Sequence, residues 1–267
     1  MDGSGFLFGF LEARQLMNAM QGVLIFGATS AIAQAIARRL VARGCSVYAV
    51  GRNPDKLRAL LDDLSVRAGP DQVVDVCSAD LDRIEDHAEW FARAERALGA
   101  VDTVLIAHGT LPDQRDCEST VAAMLQQVHT NALSAMALAA EAANRLEPAG
   151  RGMIVAIGSV AGDRGRQSKY VYGSAKGMLA IFLQGLRNRL APRGVRVLTV
   201  KPGFVATPMT AAFANKGLLW ASPDRVARDI VNAMQKGRDV LYTPWFWKGI
   251  MWVIRCIPER VFKRLKL

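Results

Sequence analysis

A serine, a tyrosine and a lysine lie close together in the middle of the chain. Ser159 is followed thirteen residues later by Tyr172, and Lys176 comes four residues after the tyrosine. In a helix, side chains four residues apart are neighbours on one face. An ammonium group near a phenol favours the phenolate and lowers the pKa of the phenol. Such a set suits proton transfer to a carbonyl or from an alcohol, with the Ser159 hydroxyl bonding the same oxygen. By itself, the spacing also fits an ordinary surface pair.

These side chains need a regular framework, and the segment 22–242 has the pattern of one. Short apolar, β-branched stretches alternate with segments of helical spacing. This alternation predicts βαβ units and hence an α/β fold: a single-domain, Rossmann-type, doubly wound parallel sheet with helices on both faces. Ser159 then lies at the carboxyl end of a strand, where such sheets bind ligands. The predicted strands are 22–27, 45–51, 72–81, 101–109, 152–159, 194–203 and 239–242.

The turn after the first predicted strand offers a place for a phosphate-bearing cofactor. Tight strand-to-helix turns bind pyrophosphate through backbone N–H groups and the positive end of the helix dipole. Glycine normally fills the close-approach positions, but Ala31 and Ala33 occupy two of them here. An ordinary turn without a ligand is the alternative. The candidate cofactor contacts in this turn are Gly27, Thr29, Ser30, Ala31 and Ile32.

The end of the second predicted strand indicates which dinucleotide is bound. A carboxylate at this place usually binds the free 2′-hydroxyl of a ribose, whereas this chain has Arg52. A guanidinium group can bind a 2′-phosphate through charge-assisted hydrogen bonds. We therefore expect NADP(H) rather than NAD(H). A solvated arginine before a helix that begins with proline is the alternative.

The other strand ends supply further candidates. The loop after the third strand is expected to flank an adenine, and the turn after 202 to meet a nicotinamide amide. His108 is either a substrate contact or a structural histidine. Asn131 lies in a predicted Ala-rich helix from about 118 to 147, where an amide has poor helix propensity, so it either holds a water near Lys176 or marks a kink. The candidate cofactor contacts here are Asp80, Leu81, Ala107, His108, Gly109, Pro202, Gly203, Val205 and Thr207.

The composition restricts the partners. A formal net charge of +10 and a pI of about 9.8 favour an anionic partner such as a phosphate-bearing cofactor, a membrane surface or nucleic acid. We see no nucleic-acid-binding motif and expect no nucleic-acid partner. The four cysteines and three histidines lack metal-ligand spacing, which predicts free thiols in a reducing compartment and no metal.

Both ends of the chain differ from the framework. Residues 1–21 form an apolar, Gly-rich extension without the features of a signal peptide. Residues 243–267 combine tryptophans with basic residues, and Lys248 and Arg255 interrupt the apolar run. We expect this amphipathic tail to lie on an anionic membrane, at the cytoplasmic, inner face of the cell membrane. Packing on the sheet or on a partner subunit is the alternative. Residues 208–222 are expected to form a substrate lid.

With this order of elements, the set of Ser159, Tyr172 and Lys176 resembles the short-chain dehydrogenase/reductase family over 22–242. The resemblance implies an NAD(P)-dependent oxidoreductase acting on CH–OH groups. It implies that Tyr172 is the proton donor or acceptor, while Lys176 lowers its pKa and binds the nicotinamide ribose. It also implies that Ser159 orients the carbonyl and that Asn131 holds a proton-relay water.

The resemblance has two further implications, for assembly and for substrate. Members of the family commonly associate through two long helices, here 118–147 and 168–192, which implies a homodimer or homotetramer. The tail is similar to that of decaprenylphosphoryl-2-ketoribose reductases, which implies reduction of a keto-sugar on a polyprenyl phosphate at the membrane surface. A reductase of a fatty-acyl or other lipophilic ketone is the alternative among enzymes. A nucleotide-sensing regulator is the alternative outside them.

Overall fold

A computed structural model of the protein describes residues 20–211 and 217–265. Most of the predicted extension 1–21, part of the predicted lid and the last two residues lie outside this description. The strands are β1 (Gly22–Phe26), β2 (Ser46–Gly51), β3 (Val74–Ser78), β4 (Thr103–Ile106), β5 (Gly152–Ile157), β6 (Val195–Pro202), β7 (Phe204–Val205), β8 (Trp220–Ala221) and β9 (Val240–Thr243). The helices are α1 (Ala31–Val41), α2 (Pro54–Arg67), α3 (His87–Leu98), α4 (Gln114–Ser119), α5 (Val121–Val128), α6 (Ser134–Ala149), α7 (Tyr170–Leu190), α8 (Pro223–Gln235), α9 (Trp247–Cys256) and α10 (Glu259–Phe262).

Seven strands form one parallel sheet in the order β3-β2-β1-β4-β5-β6-β9. Successive residues of β1 point to opposite faces, as the strand period requires. Ile25 belongs to an apolar cluster on one face, and Phe26 to a second cluster on the other. Helices cover both clusters, so the predicted Rossmann-type α/β fold is confirmed. The strand order reverses between β1 and β4, which opens a crevice at their carboxyl ends.

The predicted helix over about 118–147 begins at Val121 and continues to Ala149, with a π-helical turn inside it. The backbone is extended at Thr120, and its hydroxyl accepts a hydrogen bond of 3.1 Å from the amide of Ala123, which caps α5. A π-helical turn, His129–Leu133, then joins α5 to α6. The Ala-rich composition gives high helix propensity throughout, and this conceals the cap at the threonine.

A short second sheet lies beside the predicted lid. β7 pairs in parallel with β8, and the rings of Phe204 and Trp220 stack with centroids 5.3 Å apart. Two-residue strands have no measurable periodicity, so sequence patterns do not predict them. The pair ties one end of the lid to the segment that follows β6.

The tail packs on the framework through one face only. Trp247 and Met251 of α9 are buried against Val160. On the outer side, Trp245 and Trp252 are 77% and 69% exposed. The inner face of α9 therefore packs on the protein, which was the alternative to membrane binding for the tail. None of the helices within the described ranges is long and apolar enough to cross a bilayer.

Candidate active site

Ser159 begins the turn that follows β5. Its backbone is extended, and its Oγ accepts a hydrogen bond of 3.1 Å from the amide of Ala161. The turn packs directly on α7, because the glycines at this contact have no side chains that would separate the two backbones. A Cβ on Gly162 would lie 2.7 Å from the amide nitrogen of Gly177, and one on Gly173 would lie 2.9 Å from the carbonyl oxygen of Ala161. This contact of backbone with backbone brings Ser159 beside the helix that holds the tyrosine and lysine.

Tyr172 and Lys176 lie one turn apart on α7, as predicted. Lys176 is only 3% exposed, and its Nζ donates to the carbonyl oxygen of Ile157 at 3.3 Å. The same Nζ lies 5.9 Å from the centroid of the Tyr172 ring. Burial lowers the pKa of Lys176 to about 8. A buried ammonium beside the phenol is the expected arrangement for proton transfer.

The pKa of Tyr172 does not move in the predicted direction. Burial raises it above its ordinary value, and hydrogen bonding with Ser159 opposes the rise. The expected lowering by Lys176 is not seen, because burial dominates and the hydrogen bond with Ser159 is the one effect that lowers the pKa of Tyr172. Tyr172 is therefore a phenol at neutral pH, which is the form that donates a proton.

Asn131 lies in the π-helical turn and is fully buried. Its Oδ1 accepts from the amide of Thr110 at 3.0 Å, and its Nδ2 donates to the carbonyl oxygen of Gln127 at 3.1 Å. A Cβ on Gly109 would lie 2.7 Å from that Oδ1 and 3.2 Å from Lys176 Nζ. The amide and the ammonium thus meet at one point beside Gly109. Isolated π-turns are frequent at functional sites.

The turn after β1 lies between the ends of two neighbouring strands. Gly27 has φ +75°, and a Cβ there would lie 2.5 Å from the amide nitrogen of His108 at the end of β4. On the other side, Thr29 Cγ2 lies 3.2 Å from the Cβ position of Gly51. Ser30 caps α1 by accepting from Ala33 at 3.2 Å. Gly27, Thr29 and Ser30, with Ala31 and Ile32 in the first turn of α1, are thus brought to the crevice as predicted.

Arg52 extends from the end of β2 with an exposed side chain. The next residue, Asn53, caps α2 by accepting from the amide of Lys56 at 2.8 Å. Beside the turn that follows β1, a surface cavity of about 350 Å³ is lined by residues that include Thr29, Ala31 and Lys56. The sequence did not indicate the two cations that line this cavity, Lys56 and Arg38.

His108 has a structural role. Ser134 Oγ donates to the carbonyl oxygen of Leu81 at 2.6 Å, so it accepts from His108 Nε2, 2.9 Å away. Burial and the nearby charge of Lys176 lower the pKa of His108 to about 3. The histidine is therefore neutral and fixes the end of β4 against the loop after β3. Asp80, in that loop, is exposed, and its contact with an adenine stays a prediction.

The segment after β6 meets the tail. A Cβ on Gly203 would lie only 1.9 Å from Trp247 Nε1, so this glycine makes room for an indole. Val205 is held in β7, and the amide of Thr207 donates to Thr210 Oγ1 at 3.1 Å. Of the predicted nicotinamide contacts, Pro202, Val205 and Thr207 follow one another along this edge of the crevice. The sequence did not indicate that Gly203 is needed to accommodate Trp247.

A carboxylate missing from the predicted set closes the site behind Asn131. Asp82 Oδ2 accepts from Thr130 Oγ1 at 2.7 Å and from Gln126 Nε2 at 3.0 Å. These bonds tie the loop after β3 to the π-helical turn. No sequence signal links residues so far apart. Among the described residues, no cluster of histidine, cysteine and carboxylate side chains has the composition of a metal site.

The residues around the crevice fit a nicotinamide dinucleotide. Gly27 and Gly109 allow close packing beside the crevice, because a Cβ on the first would meet the backbone of His108 and one on the second would meet Asn131 and Lys176. Lys176 is a buried cation that makes no salt bridge within the described ranges. Burial of an unpaired ammonium is costly, and a ribose placed here would give it hydrogen-bond acceptors. Oxidoreductase chemistry therefore agrees with the buried hydrogen-bond donor that Lys176 provides at this crevice.

Comparison with known proteins also indicates an oxidoreductase. A family model described as short chain dehydrogenase matches residues 21–217. An uncharacterized oxidoreductase of Mycobacterium tuberculosis is 35% identical over 243 residues, which cover 91% of this chain and 96% of that protein. The 3-oxoacyl-(acyl-carrier-protein) reductase of Bos taurus is 34% identical over 186 residues, 70% of this chain and 76% of that protein.

A solved structure has the same fold. Levodione reductase superposes with a TM-score of 0.75 at 21% identity, covering 84% of this chain and 96% of that one. The family model covers well over half of the chain, and the similar relatives named above exceed 30% identity. The protein is therefore an NAD(P)-dependent oxidoreductase and belongs to the short-chain dehydrogenase family.

Proposed function

We propose that the protein reduces a ketone to a secondary alcohol with NADPH. The observation that supports this most is the meeting of Ser159, Tyr172 and buried Lys176 at the carboxyl end of β5. The bound cofactor supplies the hydride. Tyr172 gives its phenolic proton to the carbonyl oxygen, which Ser159 orients by a hydrogen bond. Lys176 would hold the nicotinamide ribose beside Tyr172.

Substitution of Tyr172 by phenylalanine tests this proposal. Tyr172→Phe removes the proton donor and keeps the ring, so turnover should fall by about 10²–10⁴-fold while NADPH still binds. Tyr170→Phe is the matched control, because that tyrosine lies two residues away with its side chain 42% exposed. Turnover by Tyr172→Phe at the level of the control would refute the assignment. Full-length protein that binds NADPH but reduces no ketone would favour the nucleotide-sensing alternative.

Arg52 supports NADPH as the cofactor. Its exposed side chain extends from the end of β2, where a 2′-phosphate would lie. Arg52→Asp should weaken NADPH binding by about tenfold or more and affect NADH little. Arg58→Asp, at an exposed position of α2, makes the same charge change elsewhere. Equal losses for both cofactors, measured by nicotinamide fluorescence, would contradict the proposed preference.

Association with an anionic membrane is supported by the outer side of the tail. Trp245, Trp252 and Val253 are 77%, 69% and 56% exposed. Exposed basic residues surround them: Lys248, Arg255, Arg260, Lys263 and Arg264. Tryptophan with basic residues suits the interface of an anionic bilayer. We place the protein peripherally on the cytoplasmic face of the cell membrane.

Flotation with liposomes tests the membrane proposal. Truncation at residue 242 would uncover Val160, so point variants on the outer side are the better probe. Trp245→Ser/Trp252→Ser should lose flotation with phosphatidylglycerol vesicles, while Val66→Ser, at a side chain 89% exposed on α2, should keep it. Equal flotation of both variants, or equal binding of the wild-type protein to neutral vesicles, would count against the proposal.

A lipid-linked ketone is the substrate class that agrees with this surface. We propose a keto-sugar on a polyprenyl phosphate, because Arg166 lies in the loop between Ser159 and Tyr172 and could meet a phosphate. Arg166 is half-buried and makes no salt bridge within the described ranges. A fatty-acyl ketone is the second candidate, favoured by the similarity to 3-oxoacyl-(acyl-carrier-protein) reductase. NADPH oxidation against a panel of both classes decides between them.

A further inference from the structure

Arg164 connects the turn after Ser159 to the end of the tail helix. Its Nη1 donates to the carbonyl oxygens of Ile254 and Ile257, at 2.6 Å each, and to that of Arg255 at 3.2 Å. These carbonyls lie at the end of α9, where the helix leaves most of its last carbonyl groups without an intrahelical donor. Among the described residues, only the carbonyl of Ile254 also accepts from a backbone amide, that of Ile257 at 3.4 Å. The guanidinium group therefore acts as a helix cap supplied from 90 residues away in the chain.

The same guanidinium group reaches the last described helix. Its Nη2 forms a salt bridge of 3.0 Å with Glu259, and its Cζ lies 3.7 Å from the centroid of the Phe262 ring. The Arg164 side chain is 15% exposed, whereas that of Glu259 is 76% exposed. The salt bridge is therefore worth little, and the bonds to carbonyls and the stacking on Phe262 hold the contact together.

The neighbouring residue anchors the same turn to the sheet. The side chain of Asp163 is 3% exposed, and it accepts from Lys201 Nζ and, at 2.7 Å, from the hydroxyl of Tyr242. These two partners belong to β6 and β9. The turn is thus fixed on one side to the sheet and on the other to the tail. Asp163 and Arg164 both belong to the turn that begins at Ser159, so contacts with the sheet and with the tail together fix its position.

Apolar contacts complete the link between the tail and the turn. Val160, next to Ser159, packs against Trp247 and Met251 of α9. Trp247 also fills the space left by Gly203 and meets Phe204 edge to face, with ring centroids 5.2 Å apart. The tail therefore contacts both segments that leave the sheet beside the substrate, the one after β5 and the one after β6.

We infer that the tail is part of the catalytic framework and that Arg164 is a positioning residue for Ser159. This inference rests on the proposed function, because it takes Ser159 as the group that orients the carbonyl. Arg164 touches neither cofactor nor substrate in this scheme, and it acts by holding the turn in place. Loss of the link should displace the Ser159 hydroxyl from the carbonyl, and a displacement of about 1 Å can cost up to about 100-fold in rate.

A double-mutant cycle tests the inference in the full-length protein. Arg164→Ala, Ser159→Ala and the double variant are compared by single-turnover reduction of phenanthrenequinone with NADPH. Arg164→Ala should lower the single-turnover rate constant by about tenfold with Ser159 present and by less than about twofold in its absence, because coupled groups are not additive. NADPH binding, measured by nicotinamide fluorescence, should stay within about twofold and gives the fraction of folded sites.

The controls separate positioning from folding. Glu259→Gln removes only the exposed salt bridge, so its single-turnover rate constant should match the wild type. Arg164→Lys, which keeps the charge without the planar fork, serves in the same cycle if Arg164→Ala does not fold. Equal losses from the Arg164 change with and without Ser159 would overturn the inference. If Ser159→Ala alone costs nothing, the proposed function fails instead.

Discussion

At the scale of single residues, Lys176 holds a charge where water reaches only 3% of its surface. Burial lowers its pKa from 10.5 to about 8. Below about pH 8 the lysine is protonated in the folded and the unfolded protein, and the cost of burying the charge is fully present. Between pH 8 and 10.5 only the unfolded protein holds the proton, so stability rises with pH. The site is thus destabilising until a ligand provides partners.

We expect Lys176→Met to stabilise the cofactor-free protein at neutral pH and to abolish turnover. The gain should be about 3 kcal/mol, from a gap of about 2.5 pH units at about 1.4 kcal/mol each. It should shrink as the pH rises from about 8 toward 10.5. Urea unfolding of both proteins across this range measures the difference. A difference that does not change with pH would mean that Lys176 is not buried as a charge.

Residue types and spacing were enough to predict Ser159, Tyr172 and Lys176 as neighbours, because strand ends and helical periodicity place them. For Asn131 they left a position near Lys176 and a kink as alternatives, and the structure shows both at once. They were not enough to predict energies. The pKa of Tyr172 depends on how much water surrounds the phenol, and this is a property of packing. Likewise, Gly203 was predicted to contact a cofactor, yet its missing side chain accommodates Trp247.

At the scale of elements, the site depends on how closely the Ser159 turn lies on α7. Gly162, Gly173 and Gly177 make that approach possible. Two of them lie on α7 itself, where glycine weakens a helix by about 1 kcal/mol relative to alanine. Gly185, on the same helix, has open space around its Cβ position. The glycines at 173 and 177 are therefore explained by contact with the turn and the one at 185 is not.

Alanine substitutions at two of these glycines should have opposite effects. Gly173→Ala places a Cβ 2.9 Å from the carbonyl oxygen of Ala161 and should push the turn away from Tyr172. We expect a loss of about 1–3 kcal/mol in stability and about tenfold in kcat. Gly185→Ala should gain about 0.5–1 kcal/mol with unchanged kcat. Thermal unfolding and steady-state kinetics of both variants check this. A stabilised and fully active Gly173→Ala would contradict the contact.

At the scale of the whole molecule, the alternation of strands and helices was sufficient to predict the sheet, since buried parallel strands have long apolar runs. It could not show which surfaces remain uncovered. Within the described residues, exposed apolar side chains also lie on α5, the π-helical turn and α7. They include Val121, Leu125, Leu133, Met178 and Ile181. We propose that a second copy of the chain covers the surface that they form, which gives the expected homodimer or homotetramer.

A charge in the middle of that surface should separate the copies. Ile181 is 71% exposed on α7, so Ile181→Asp should fold normally in the monomer but place an unpaired carboxylate inside an apolar interface. Val66→Asp makes the same change at an apolar side chain of α2 that is 89% exposed. Light scattering after gel filtration should give a monomer for Ile181→Asp and the wild-type mass for Val66→Asp. A wild-type protein that is already monomeric at micromolar concentration, or variants with identical masses, would contradict the proposal that a second copy covers this surface.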